Sequence, residues 1–477
     1  MNNTTEKRKR NRILKYTGLA ALGAALYIFI GAIVPYVDHP EVSKKTREGF
    51  ARKDYYQVFD AKEEGKIISD NGEALEERIR LISQAEDRII LSSFEMHSDT
   101  SGKQVMAALM DAADRGVKVQ VITDGFPVVA CGWGNPYFKA FAETKNIEYQ
   151  IYNPVNLLKP WTLMARLHDK YLVVDEKAYV LGGRNTYDYF LGDQKGYKNY
   201  DWDALVWCEE NTSSLKQVED YFTSIWKQKE NHLYQKEPFQ ASKKKTKEAD
   251  KELRTLYERM QEIHPDWFDK KKPEGMVPIE SANLISNPVE PDNKEPIAFY
   301  KLTELMKEAE GKVIFHTPYL ICNDWMVERL QEVCKAVPDT SMLTNSVANN
   351  GNPFGAMDYA DNKGKLLDTG VGIMEYDDGI SYHGKCMTID DDLAVVGSFN
   401  WDMRSAYLDT ELMLALHGEE ITAQLRDAMS EYEEVSLQVI DEEQSVAPEG
   451  AKPQEISKKK ETRIRLIHFL KWARFLM

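Results

Sequence analysis

Residues 16–37 contain no charged side chain, and as a helix those 22 residues would reach about 33 Å, enough to cross a bilayer core. The run exceeds the apolar segment of a cleaved signal peptide and has no small-x-small site at its end, so it reads as an uncleaved anchor. Beyond it the pattern changes to short apolar runs alternating with helical periodicity. Residues 89–94 form a strand pattern. Residues 102–115 place Val105, Met106, Ala108, Leu109 and Ala112 at helical spacing, and Gly116 ends that helix. Residues 117–123 make the next strand. The order returns later, with a strand over 313–315, a helix over 324–336 and a strand over 342–344. At the C-terminus Ile464, Leu466, Ile467, Phe469, Leu470, Phe475 and Leu476 are interleaved with Arg463, Arg465, Lys471 and Arg474. That pattern predicts a basic amphipathic helix lying on anionic lipid; the alternative is a helix docked on the protein's own core.

An internal repeat organises the middle of the chain. Residues 166–185, RLHDKYLVVDEKAYVLGGRN, align without a gap to residues 381–400, SYHGKCMTIDDDLAVVGSFN, at one offset of 215 residues. His168 and His383, Lys170 and Lys385, Asp175 and Asp390, Gly182 and Gly397, and Asn185 and Asn400 coincide. Each copy alternates as a strand, turns at an acidic cluster and runs on as a second strand. Strand–helix–strand order met twice predicts an α/β fold of two halves with mostly parallel sheets, packed about a pseudo-twofold axis. The expected organisation is a basic cytoplasmic tail over 1–15, a transmembrane anchor over 16–37, a first half over 55–226, a charged linker over 227–280, a second half over 281–440 and a membrane-surface helix over 456–477.

The 477 residues suffice for two cores, and the formal net charge of −16 argues against a broad nucleic-acid-binding face. The five cysteines are scattered and form no CxxC pair, so neither a disulfide framework nor a metal site is expected from them. The histidines outside the repeat form no HxxxH pair.

The repeat carries the chemistry. In an HxK strand the histidine and lysine share a face, so each copy delivers an imidazole and an ammonium together. Two copies offer two imidazoles, two ammonium groups and the amides of Asn185 and Asn400 around one phosphate. A phosphodiester can then be cleaved with a nucleophile, a proton donor and cationic stabilisation of the equatorial oxygens, with no metal or other cofactor required. A carboxylate should orient each imidazole and stabilise its cation. Glu411 is the candidate after the second motif; Asp203, ahead of Asp201, is the candidate after the first. Asp175 and Asp390 stand where turns follow strands and suit a structural role.

HxKxxxxD followed by Gly-Gly or Gly-Ser, one residue and Asn, twice in one chain, resembles the two-motif phospholipase D superfamily. Gly182-Gly183-Arg184-Asn185, Asp201-Trp202-Asp203, residues 343–346 and Gly397-Ser398-Phe399-Asn400 running on to Arg404-Ser405 make it most similar to bacterial cardiolipin synthases, especially the C-type branch. The resemblance implies a covalent phosphatidyl-histidine intermediate, with His168 as nucleophile, His383 as general acid and then base, and Lys170, Lys385, Asn185 and Asn400 holding the phosphate. It implies phosphatidylglycerol as substrate, with a second phosphatidylglycerol or phosphatidylethanolamine as the other lipid. Asp409 stands where the family commonly has asparagine. The alternatives are a phospholipase D hydrolase, a phosphodiesterase or nuclease, and an inactive lipid-binding module. The basic flank of the anchor puts the N-terminus in the cytoplasm and favours an extracytoplasmic catalytic unit in the cell membrane; Lys44, Lys45, Arg47, Arg52 and Lys53 beyond it blunt that asymmetry.

Overall fold

The computed structural model describes residues 2–58, 63–208, 213–379 and 381–477. The side chains of Lys7 and Arg8, which open the basic flank, lie outside the described residues. Each half builds a nine-stranded sheet. The first runs, neighbour to neighbour, Val277–Ile279, Glu63–Ile68, Asp203–Cys208, Ala178–Gly182, Tyr171–Val174, Arg88–Ser93, Lys118–Asp124, Ile147–Tyr152 and His232–Leu233. The second runs Ser281–Ser286, Leu412–His417, Leu393–Gly397, Cys386–Ile389, Lys312–His316, Asp339–Asn345, Gly372–Tyr376, Leu437–Val439 and Ser445–Val446. From Glu63–Ile68 and from Ser281–Ser286 onward, seven strands follow the same order in both halves.

The sheets are mixed, where the sequence pattern predicted mostly parallel ones. In each half the parallel pairings join three consecutive strands: Arg88–Ser93 to Lys118–Asp124 to Ile147–Tyr152, and Lys312–His316 to Asp339–Asn345 to Gly372–Tyr376. The remaining neighbours are antiparallel. The reason is local. The strand after each HxK returns through a tight acidic turn, and a connection that short closes only an antiparallel hairpin.

Those turns carry the two repeated aspartates. Asp175 and Asp390 have φ of +51° and +52°, a left-handed conformation that aspartate tolerates better than most side chains. The Asp175 carboxylate accepts the backbone N–H groups of Glu86, Asp87 and Arg88 at 3.1, 2.9 and 2.9 Å. Asp390 accepts those of Glu310, Gly311 and Lys312 at 2.9, 2.7 and 3.1 Å. Each aspartate thereby ties its hairpin to the start of the first parallel strand.

Helices cover the outer faces. Thr100–Asp114 starts where Asp99 accepts the Gly102 N–H at 3.1 Å, and Asp324–Ala336 starts where Asn323 accepts that of Met326 at 2.9 Å. Their apolar faces fill one outer core per half. A third core lies between the sheets and draws Ile90, Ile122 and Tyr171 from the first and Ile314, Leu343 and Leu414 from the second, so the halves share buried surface. The charged stretch after the first half contains a helix, Lys243–Ile263, whose Leu253, Tyr257 and Met260 are buried in the first outer core.

The N-terminal helix spans Asn2–Ile33, and its apolar side chains from Leu14 through Ile30 are largely exposed. It touches the body near the turn Pro160–Thr162, where the Tyr27 hydroxyl donates to the Leu158 carbonyl at 2.8 Å and the Tyr36 hydroxyl donates to that of Trp161. The C-terminal helix, Lys458–His468, runs into a short turn over Lys471–Leu476. Ala473 and Leu476 dock in the second outer core, whereas Leu466, Phe469 and Trp472 remain exposed.

Candidate active site

Both HxK segments are extended and lead into the antiparallel strands Tyr171–Val174 and Cys386–Ile389. They emerge at the end of each sheet where the parallel strands finish, the edge at which open α/β sheets present their ligand sites. The two halves are stitched there. Ser381–Tyr382 pairs in parallel with Asn199–Tyr200, and Leu167 bridges Thr410. The His383 N–H donates to the Tyr200 carbonyl at 2.7 Å, and the His168 N–H to the Thr410 hydroxyl at 3.1 Å.

This stitching gives each imidazole a carboxylate from the opposite half. His168 Nδ1 lies 2.8 Å from Glu411 Oε1, and His383 Nδ1 lies 2.6 Å from Asp201 Oδ2. Each ring thus turns its Nδ1 edge to the carboxylate and its Nε2 edge away from it. Phe94 packs edge-on against His168 at 5.4 Å and Phe190 against His383 at 5.1 Å, which fixes the ring planes. Lys170 donates to the His168 carbonyl. Lys385 donates to the His383 carbonyl, lies 3.3 Å from Asp201 Oδ2 and lies 2.5 Å from His383 Nδ1.

The environments of the pairs differ. Burial pushes the Asp201 carboxyl up, but Lys385, the bond from His383 and the charge of Arg184 outweigh it and hold the group down at about 2. Glu411 is also fully buried, and burial lifts it to about 7 against the charge of Lys170. Its direct partners besides His168 are hydroxyls: Ser405 donates to Oε1 at 2.6 Å and Ser398 donates to Oε2. Burial and then the Lys170 charge push His168 well below the ordinary histidine range; burial and then Lys385 push His383 down to about 4. Lys385 also acts on His168 and Lys170 on His383, so the four groups form one electrostatic neighbourhood. Burial lowers Lys170 to about 8 and lowers Lys385.

Asn185 and Asn400 are buried beyond the second strand of each motif. Asn185 Oδ1 accepts the Glu95 N–H at 3.3 Å, whereas Asn400 Oδ1 is buried without a hydrogen-bond partner among the described residues. Asp175 and Asp390 stand at the far ends of their strands, engaged in the backbone bonds above. Asp203, the first-ranked carboxylate after the first motif, faces away from the imidazoles: Arg78 and Arg184 reach its Oδ2 at 2.9 and 3.2 Å. The histidine partner is Asp201, two residues earlier, because Asp203 already belongs to the strand whose ladder aims it at those arginines. Gly183 is required by close approach, since a Cβ there would stand 2.2 Å from Asp201 Oδ1.

The sequence assigned no role to Ser398, Ser405 and Thr410, which hold Glu411 and the His168 backbone. Donor atoms of His168, Asp409 and Glu411 lie within 4.8 Å of one another, a spacing that suits a cation. The carboxylates already have protein donors, however: Arg404 Nε lies 3.0 Å from Asp409 Oδ2, and the Arg166 N–H donates to Asp409 Oδ1 at 3.2 Å. The departure at Asp409 therefore supplies a carboxylate held by the Arg404 side chain and the Arg166 backbone.

Comparison with known proteins follows the same outline. Residues 79–226 and 302–432, more than half of the chain, match the family model described as cardiolipin synthase, PLD-like domain. Cardiolipin synthase C of Escherichia coli is 25% identical over 402 residues, covering 74% of this chain and 81% of that protein. An uncharacterized protein of Helicobacter pylori is 24% identical over 423 residues, covering 78% of this chain and 80% of the relative. Among solved structures, phosphatidylserine synthase of Haemophilus influenzae superposes with a TM-score of 0.61 at 12% identity, covering 91% of this chain and 99% of that one, which is a likeness of fold.

Proposed function

Because the chain belongs to the cardiolipin synthase family with PLD-like domains, we propose that it is a membrane-anchored phosphatidyltransferase that makes cardiolipin from phosphatidylglycerol. The observation that carries this reading is the reciprocal pairing of His168 with Glu411 and His383 with Asp201, with Lys170 and Lys385 beside them. In the first step His168 Nε2 attacks phosphorus, the bond to the headgroup oxygen breaks, and His383 gives that oxygen its proton. In the second step His383 takes the proton of an acceptor hydroxyl, the freed oxygen attacks phosphorus, and the phosphorus–nitrogen bond breaks. Lys170, Lys385, Asn185 and Asn400 hold the equatorial oxygens throughout.

The assignment of roles follows from charge. A nucleophile must be neutral, and burial beside Lys170 keeps His168 neutral while Glu411 fixes its tautomer. A proton carrier needs a fixed anion to stabilise its imidazolium, and Asp201 remains ionised far below neutrality. An arriving phosphodiester anion offsets the charge of Lys385 and so raises the proton affinity of His383 into the working range.

The acceptor hydroxyl is the glycerol headgroup of a second phosphatidylglycerol, or phosphatidylethanolamine supplies the second lipid. Membrane anchoring is supported by the exposed apolar helix of the N-terminus and by the exposed Leu157, Leu158, Trp161, Phe469 and Trp472 on the body. Phe29 of the anchor and Trp472 meet at 6.1 Å, which gathers these groups toward one lipid-facing side. The basic flank orients the anchor with its N-terminus in the cytoplasm and the catalytic unit outside. Protease digestion of the catalytic unit in intact cells is the expected result; full protection contradicts that orientation.

Lipid mass spectrometry tests the reaction. The purified full chain is incubated with phosphatidylglycerol vesicles, with and without phosphatidylethanolamine, beside His168→Ala. Cardiolipin formed by the wild type alone is the expected outcome. Phosphatidic acid without cardiolipin identifies a hydrolase and overturns the transferase reading.

A further inference from the structure

Outside the catalytic pairs, one group of side chains combines three donor types that the proposed reaction does not use. Glu95 and His97 follow the strand Arg88–Ser93, and Cys131 lies in the turn Val128–Gly132. A carboxylate oxygen, an imidazole nitrogen and the thiol sulfur lie within 4.8 Å of one another. The sequence concealed this group, since the cysteine is far along the chain from the ExH pair and no spacing rule links them.

We infer that Glu95, His97 and Cys131 form a binding site for a thiophilic divalent cation, of which zinc is the best match. The donor set is chemically coherent. Thiolate and imidazole together select zinc over magnesium or calcium, and one thiolate with one carboxylate balances a double charge. Around a tetrahedral zinc, bonds of about 2.0–2.3 Å put donor atoms roughly 3.3–3.8 Å apart; the three donors here lie within 4.8 Å, so side-chain rotations that part His97 from Glu95 and bring in the thiol reach that spacing.

The site is also held in place. His97 stacks on Tyr187 at 4.2 Å, and its Nε2 lies 2.7 Å from Glu95 Oε1. The Asn135 amide donates to the Cys131 carbonyl at 2.9 Å and to the Ser98 hydroxyl at 2.8 Å, tying the segment that carries the thiol to the one that carries the imidazole. Of the five cysteines, Cys131 is half-buried and the other four are buried, so this thiol alone combines solvent access with a histidine and an acid. Asp99 Oδ2 stands 3.9 Å from His97 Nδ1, but its carboxylate already caps the helix Thr100–Asp114 and accepts the Asp188 N–H at 2.9 Å. A fourth position is thereby left to water. Binding replaces the thiol proton of Cys131 with the metal and releases that proton to solvent. The same segment presents Phe94 to His168 and the Glu95 N–H to Asn185, so a bound cation would stiffen one wall of the catalytic site.

The test uses the full chain, purified in detergent and stripped with a chelator, with cobalt(II) as the optical probe and no lipid. The expected result is one equivalent bound, with a thiolate-to-cobalt charge-transfer band that zinc chases away. Cys131→Ser abolishes the band and Glu95→Gln weakens binding at least about tenfold. Cys334→Ser and His168→Ala leave both unchanged. Absence of a saturable one-equivalent band, or a band that survives Cys131→Ser or disappears in His168→Ala, overturns the site. Because no turnover is read, the outcome is independent of the phosphatidyltransferase reading.

Discussion

The two halves share a fold and a motif, yet they surround their histidines differently. In the second half His383 sits with an ionised Asp201 and the ammonium of Lys385 in a compact charged triad. In the first half His168 leans on a Glu411 that is lifted to about 7 and held by two serine hydroxyls. Duplication supplies two equivalent hairpins, and the residues that follow each hairpin make them unequal. A symmetric scaffold can thus host the two unlike roles that a double displacement requires, one neutral nucleophile and one charge-stabilised proton carrier.

Removing the rings should separate the two halves most strongly. His168→Ala and His383→Ala should each lower transfer from natural phosphatidylglycerol by about 10⁴-fold or more, the scale on which a nucleophile or an essential acid acts. They should part company on a phosphatidyl ester with an acidic phenol as leaving group. His383→Ala should still release the phenol in a single burst, because that alcohol needs no proton, and His168→Ala should not. Equal bursts would mean that the halves are interchangeable.

The carboxylates come next. Asp201→Asn should lower kcat by about 10²-fold or more, and Glu411→Gln by roughly tenfold, because only the first removes an ionised partner of an imidazolium. A larger loss in Glu411→Gln would reverse the roles assigned to the two histidines.

Stability should separate the same two variants by pH. Glu411 is raised by burial, so its contribution to folding is full below the ordinary glutamate range and is lost as pH rises through about 7. Asp201 is depressed, so its contribution is full above the ordinary aspartate range and is lost only as pH falls toward about 2. Denaturant titrations should therefore find the cost of Asp201→Asn equal at pH 8 and pH 5, and the cost of Glu411→Gln greater at pH 5 than at pH 8. Parallel behaviour of the two would contradict the electrostatic asymmetry.

The smallest contrast concerns the repeated aspartates. Asp175→Ala and Asp390→Ala should each cost about 1–3 kcal/mol of stability, because each exposes backbone donors that lose their acceptor. Turnover at saturating substrate should change by no more than about threefold, since neither carboxylate touches an imidazole. A loss of activity at full stability would move these residues into the chemistry.

Much of this was legible in the chain. The helix over 324–336 coincides with its observed span, and the strands beginning near residues 89 and 313 lie within a residue of theirs, because apolar periodicity and caps are local signals. Sheet direction was less legible, since each HxK strand returns as a hairpin rather than as a crossover. The partner of each histidine was least legible: Glu411 is 243 residues from His168 and Asp201 is 182 from His383, and the bridging register belongs to the seam between halves. Asp203 outranked Asp201 on sequence because nothing local tells which of two acids flanking Trp202 joins the strand. The cluster of Glu95, His97 and Cys131 was hidden for the same reason.

Whether His168 is the nucleophile is read by peptide mapping by mass spectrometry of enzyme quenched during turnover of phosphatidylglycerol, in the wild type and in His383→Ala with the phenol ester. The expected result is a phosphatidyl adduct on His168 in both, accumulating in the variant. An adduct on the wild-type His383, or turnover with no adduct on either histidine, would contradict it.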